Sequence, residues 1–127
     1  MTKKPIIESN GPRSPGQWVI VHPGRLTIGK RVDIGAFTYI DAEYGVQIGD
    51  DVKIGSHCAI CSTNPTDGTQ GPVTIGDGVL IGTHSTILPN ITIGSGSIVE
   101  AHSLVSNFIH PHELWAGIPA TFIKRLV

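Results

Sequence analysis

The sequence predicts an all-β chain, a parallel β-helix of about four triangular coils with two corner loops and a short C-terminal segment. Three observations carry this expectation. The unit aliphatic-x-Ile-Gly occurs seven times, as LTIG at 26–29, VDIG at 32–35, VQIG at 46–49, VKIG at 52–55, VTIG at 73–76, VLIG at 79–82 and ITIG at 91–94. Three pairs of these units are six residues apart, and a fixed period of this kind is the mark of a repeat architecture. The intervals between pairs grow only by insertion. One register therefore runs through Ile28, Ile34, Ile40, then Ile48, Ile54, Ile60, then Ile75, Ile81, Ile87, and finally Ile93, Val99, Val105.

Each unit reads as a short strand, because aliphatic residues alternate within it, as in Val52 and Ile54 or Val79 and Ile81. A six-residue period with Gly in most units matches no 3.6-residue stripe, which excludes a helix. Three units make one coil, and four coils stacked about 4.8 Å apart give a prism of roughly 19 Å. Small residues recur four positions after the aliphatic one, so Thr38, Cys58, Ser85, Ser97 and Ser103 should point inward near the corners. Cys61 follows Ile60 and should point outward, so the CAIC cysteines do not converge as a redox or metal pair.

Two insertions interrupt the register, DAEYG at 41–45 and STNPTDGTQGP at 62–72. Both follow the third unit of a coil, so they leave the same corner on adjacent coils. Loops on a rigid scaffold are where sites concentrate. A second alignment comes from His57, His84 and His102, each three residues after the aliphatic residue of a second-face unit, with Phe37 in the same slot one coil earlier. They should form a ladder about 5 Å per step. Its turn slot favours residues that tolerate a left-handed backbone, and Gly78, Asn90 and Gly96 fill it in other units.

The remaining composition narrows the function. A chain of 127 residues has room for one domain, divided here into an irregular leader and cap at 1–24, the repeat at 25–108 and a closing segment at 109–127. Trp18 to Val21 is expected to cap the first coil, whose open edge invites pairing. Nine basic and ten acidic residues give no field for nucleic acid or an anionic membrane. No stretch reaches the ~20 apolar residues of a membrane span, and the start lacks an apolar segment behind Lys3 and Lys4, so a soluble cytoplasmic protein is expected.

The repeats, the run VLIGTHSTILPNITIGSGSIVEAHSLV and the closing WAGIPATFIKR at 115–125 resemble the C-terminal half of galactoside and maltose O-acetyltransferases and of serine acetyltransferase, over about residues 25–125. The resemblance implies a left-handed β-helix, an exception to the right-handed crossover rule, a homotrimer, acetyl-CoA as co-substrate and a small-molecule sugar acceptor. It further implies that acyl-CoA lies in a groove between subunits, along Gly82, Ala101 and the turn Gly117, Pro119 and Ala120, with Lys124 and Arg125 near its phosphates. Thr121 stands where many relatives carry a lysine.

In those O-acetyltransferases a His-Pro in the long loop carries the base. Here the dipeptide is Asn64-Pro65, and an amide cannot take a proton. STNPTDG also looks like the loop of short nucleotide-sugar N-acyltransferases. An amine acceptor, once neutral, is already a nucleophile toward a thioester. The expected catalytic residues are then Asn64 to position the amine, Asp67 as a proton acceptor, and His84 or His57 as base or hydrogen-bond partner. The alternatives are sugar O-acetylation, a non-catalytic scaffold, and a metalloenzyme like the γ-class carbonic anhydrases. The last lacks its pair of histidines, since Pro89 stands five residues after His84, and no metal is expected. His22 has no assigned role beyond the option of reaching a neighbour's site.

Overall fold

The computed structural model describes residues 17–127, and the structural statements below concern those residues. The chain winds as a left-handed parallel β-helix with three flat faces. The first face holds β2 (Leu26–Ile28), β5 (Val46–Ile48), β8 (Val73–Ile75) and β11 (Thr92–Ile93). The second holds β3 (Asp33–Ile34), β6 (Lys53–Ile54), β9 (Leu80–Ile81), β12 (Ile98–Val99), β14 (Glu113–Gly117) and β15 (Ala120–Arg125). The third holds β1 (Val19–Val21), β4 (Tyr39–Asp41), β7 (Ala59–Cys61), β10 (Thr86–Ile87) and β13 (Leu104–Val105).

The register follows the repeat. Ile40 pairs with Ile60, Ile60 with Ile87 and Ile87 with Val105, all in parallel ladders. Eleven of the twelve register positions are buried, and Ile28 in the first coil is half-buried. Stacked aliphatic rows of this kind remove apolar area from water at about 25 cal/mol per Å², and each coil covers its neighbour.

The third face has one strand more than four coils supply. Val19–Val21 continues it in register, with Ile20 opposite Ile40 and Val21 opposite Asp41. The end of the leader is thus a strand of the solenoid, where the sequence suggested irregular chain. No aliphatic-x-Ile-Gly unit announces it. Trp18 is buried beside it and donates its indole N–H to the Ile34 carbonyl at 2.7 Å, so it covers the first coil. At the other end β14 pairs parallel with β12, and β15 folds back antiparallel on β14 as a hairpin.

The inward corner residues form a polar ladder. Thr38, Ser85 and Ser97 are fully buried, and Cys58 and Ser103 nearly so. Thr38 donates to the Gly55 carbonyl at 2.8 Å, Ser85 to that of Glu100 at 3.1 Å and Ser97 to that of His110 at 2.8 Å. Each corner hydroxyl ties its own coil to the next, satisfying backbone groups that the turn would otherwise strand in the core. No helix is long and apolar enough to cross a membrane.

Candidate active site

The two insertions meet at the third corner, where the chain passes from the third face to the first. Asp41 ends β4 and is buried, with its Oδ1 accepting the Glu43 N–H at 3.1 Å and its Oδ2 accepting the Thr63 hydroxyl at 2.5 Å. The backbone N–H of Ser62 donates to the Asp41 carbonyl at 3.1 Å, and the N–H of Tyr44 donates to the Ser62 hydroxyl at 3.0 Å. The short insertion is therefore the floor from which the long loop springs.

The long loop is built from its own side chains. Thr63 and Gln70 form an antiparallel bridge, and the Asn64 N–H donates to the Thr69 carbonyl at 2.9 Å. Asn64 Oδ1 accepts from the Thr66 N–H at 3.2 Å and its hydroxyl at 2.8 Å. Asp67 Oδ1 does the same for Thr69, at 3.0 and 2.8 Å. Such side-chain bonds two residues on are how Asn and Asp hold turns. Both groups from Thr69, the backbone N–H first, hold the exposed Asp67 carboxyl below its ordinary range. That makes Asp67 a weaker base than an ordinary carboxylate, better suited to holding the turn than to collecting a proton.

At the second corner, between the second and third faces, the three imidazoles stack as the spacing predicts, with Phe37 tilted by 37° against His57. Centroids of His57 and His84 are 4.7 Å apart with planes 9° from parallel, and those of His84 and His102 are 4.8 Å apart at 4°. Phe37 lies 5.1 Å above His57. All four have φ between 59° and 64°, the left-handed region that this slot imposes. The expected catalytic residues thus divide. His57 and His84 stand together on the second corner, whereas Asn64 and Asp67 stand on the third, and the width of the third face lies between them.

Of the expected cofactor residues, Gly82, Ala101 and Gly117 lie at the histidine edge of the second face, whereas Lys124 and Arg125, opposite Leu114 and Glu113, lie toward its other edge. Gly82 and Ala101 lie just after adjacent strands of the second face, β9 and β12, and line an open groove of about 430 Å³ together with Lys53, Leu80, Ile98 and Glu100. Gly117 continues this edge, donating its N–H to the Ser103 hydroxyl at 3.2 Å. Pro119 and Ala120 close the hairpin turn, Ala120 buried, while Lys124 and Arg125 are exposed on β15. Gly82 has a structural reason of its own. A Cβ there would overlap the Ala101 backbone nitrogen and lie 2.7 Å from the Ala101 Cα, so the next coil already occupies the approach.

Sequence reading left one contact unassigned. His22, half exposed at the third corner with φ 59°, places its Nδ1 3.5 Å from Asp41 Oδ1. The donors of His22, Asp41 and Glu43 all lie within 4.8 Å of one another. The signal existed only as register, since Val21 pairs with Asp41 and Asp41 with Cys61, and that register depends on β1.

Comparison with known proteins agrees with the repeat and the fold. The profile of the Bacterial transferase hexapeptide (six repeats) matches residues 72–107, and that of the Hexapeptide repeat of succinyl-transferase matches residues 25–60. Galactoside O-acetyltransferase of Escherichia coli (strain K12) is 32% identical over 82% of this chain and 59% of its own. Serine acetyltransferase 4 of Arabidopsis thaliana is 40% identical over 71% of this chain and 27% of its own. The chain thus spans less than two thirds of the length of these curated relatives. Among solved structures, galactoside acetyltransferase in complex with coenzyme A superposes with a TM-score of 0.85 at 29% identity, covering 93% of this chain and 63% of that one. AntD, an N-acyltransferase from Bacillus cereus solved with dTDP and coenzyme A, shares the fold, with a TM-score of 0.79 at 24% identity over 89% of this chain and 80% of that one. On the repeat, the fold and these matches, the chain belongs to the bacterial transferase hexapeptide-repeat family.

Proposed function

We propose that the protein transfers an acetyl or other acyl group from an acyl-CoA to the amino group of a sugar, nucleotide-linked and of the kind used in surface polysaccharide. The observation that carries this is Asn64. At the loop position where the resembling O-acetyltransferases hold a base, this chain has an amide whose Oδ1 is occupied by Thr66. It orients a substrate without accepting its proton. A neutral amine attacks a thioester directly, so positioning supplies most of the acceleration.

The division of candidates between two corners favours a homotrimer, in which the third corner of one copy faces the second corner of the next. In that arrangement the groove along Gly82, Ala101 and Gly117 takes the pantetheine arm, and Lys124 and Arg125 meet the phosphates. His84 or His57 hydrogen-bonds the reacting groups from the neighbouring copy, and no metal takes part. A particle of three times the 13.4 kDa chain by light scattering is the expected assembly. The cytoplasm, where acyl-CoA is available, is the proposed compartment.

The test is a panel of free and nucleotide-linked amino sugars, with matched hydroxyl sugars, incubated with acetyl-CoA and followed by thiol release and product mass. Turnover confined to amines is expected. Transfer to hydroxyls alone would instead favour the O-acetyl reading, which the likeness to galactoside O-acetyltransferase supports. Turnover on neither class sinks both.

A further inference from the structure

We infer that His22 is the general base of this site and that Asp41 is the residue positioning it, an assignment that rests on the acyl-transfer reading above. Asn64 leaves the long loop without a proton acceptor, and Asp67 is engaged by Thr69. The third corner nonetheless presents an imidazole. His22 arrives from the coil before, at the end of β1, and its Nδ1 faces Asp41 Oδ1 at 3.5 Å.

Asp41 is suited to hold it. The carboxylate is buried, with 8% of its side chain exposed, against 53% for His22. Its other oxygen is fixed by the Thr63 hydroxyl, and Thr63 immediately precedes Asn64. Asp41 and the loop are therefore one hydrogen-bonded unit, and His22 faces it. With Nδ1 turned to a carboxylate, Nε2 lies on the opposite, accessible side of the ring, and the tautomer that leaves Nε2 free to accept is the favoured one. The 3.5 Å separation is longer than a hydrogen bond, as such contacts often are before substrate binds.

The step balances. As the acceptor nitrogen forms its bond to the thioester carbonyl carbon, its proton passes to His22 Nε2. Collapse of the tetrahedral intermediate breaks the carbon–sulfur bond, and the departing thiolate takes the proton from the imidazolium. The products are the amide, the CoA thiol and neutral His22. The same residues are a less suitable metal site, because their donors spread over as much as 4.8 Å, whereas donors about 2.1 Å from one tetrahedral ion lie roughly 3.4 Å apart.

Two substitutions respect the left-handed backbone at His22, which Asn and Gly tolerate. In the full-length protein, with acetyl-CoA and the best acceptor of the panel, His22→Asn should lower kcat by about 10²–10⁴-fold. The KM for acetyl-CoA and the melting temperature should stay near wild type, and the acid limb that an imidazole base imposes on the pH–rate profile should vanish. His22→Gly should be rescued in part by added imidazole. Asp41→Asn should lower kcat by less, since the ring keeps its place but not its carboxylate. Wild-type turnover matched by His22→Asn overturns the assignment while leaving acyl transfer standing. A stoichiometric divalent ion removed by chelator together with activity also overturns it, because Nδ1 would then be a ligand. No wild-type turnover on any acceptor removes both readings.

Discussion

Replacing Ser85 by alanine isolates the polar ladder that joins the coils. Ser85 is fully buried, donates to the Glu100 carbonyl at 3.1 Å and accepts the Ser103 N–H at 3.3 Å. The alanine variant keeps the volume nearly unchanged and leaves the Ser103 N–H without this acceptor. An unsatisfied buried donor costs about 1–3 kcal/mol. The Glu100 carbonyl keeps its bond from the Ser103 hydroxyl at 2.7 Å, which places the cost in the lower part of that range, about 1–2 kcal/mol. For a chain of this length that is a drop in Tm of about 4–8 °C by circular dichroism. Ser85→Cys should fall between, because Cys58 already fills the equivalent slot with a sulfur 3.2 Å from the Gly82 carbonyl, and a thiol is a weaker donor. If Ser85→Ala melts with wild type, the corner hydroxyls do not join the coils and the reasoning fails.

Three further outcomes follow from the same geometry. Thr69→Val removes one of the two donors to Asp67 and leaves the backbone N–H, so the carboxyl should titrate higher, part of the way back to the ordinary range, by carbon NMR. Because the folded value is depressed, this group's contribution to stability is complete above the ordinary carboxylate range and is lost as pH falls through the depressed value; the substitution narrows that acid window, and a downward move refutes it. Gly82→Ala should cost about 1–3 kcal/mol in urea unfolding, since its Cβ meets the backbone of Ala101; normal stability with weakened CoA binding would instead make it a cofactor contact. CoA at 100 times its Kd should stabilise the protein by about 2.7 kcal/mol, and Lys124→Ala with Arg125→Ala should reduce that gain at the same concentration; an unchanged gain excludes both from the phosphates.

The solenoid was legible because its physics is local. An Ile or Val in every unit marks the buried face, and the ring ladder at Phe37, His57, His84 and His102 follows once the register is known. The strand Val19–Val21 was not legible as a strand, since no aliphatic-x-Ile-Gly unit marks it or its neighbouring strands on the third face, although Ile20 packs partly buried against the core. His22 was hidden with it, because its approach to Asp41 depends on that pairing. The loop was legible as a location but not as chemistry. Asn64 read as a positioning group and Asp67 as a proton acceptor, and only the geometry shows each spending an oxygen on the threonine two residues on.

The corners differ in how much change they tolerate, and that difference bears on where specificity resides. At the second corner each left-handed residue is locked to the preceding coil, with the N–H of His57 bonding to Ala36, that of His84 to Ser56 and that of His102 to Thr83, all within 3.0 Å. An insertion there would break several ladder bonds at once. At the third corner the loop closes on itself through Thr63 and Gln70, and it returns to the coils through the Asn90 amide, which donates to the Gln70 carbonyl at 3.1 Å. Its length and side chains can therefore vary without disturbing the stack. A cofactor common to many acyltransferases suits the invariant geometry of the second corner, and an acceptor that differs between them suits the third. Substitutions that redirect acceptor choice are accordingly expected in residues 62–72, with CoA affinity left near wild type.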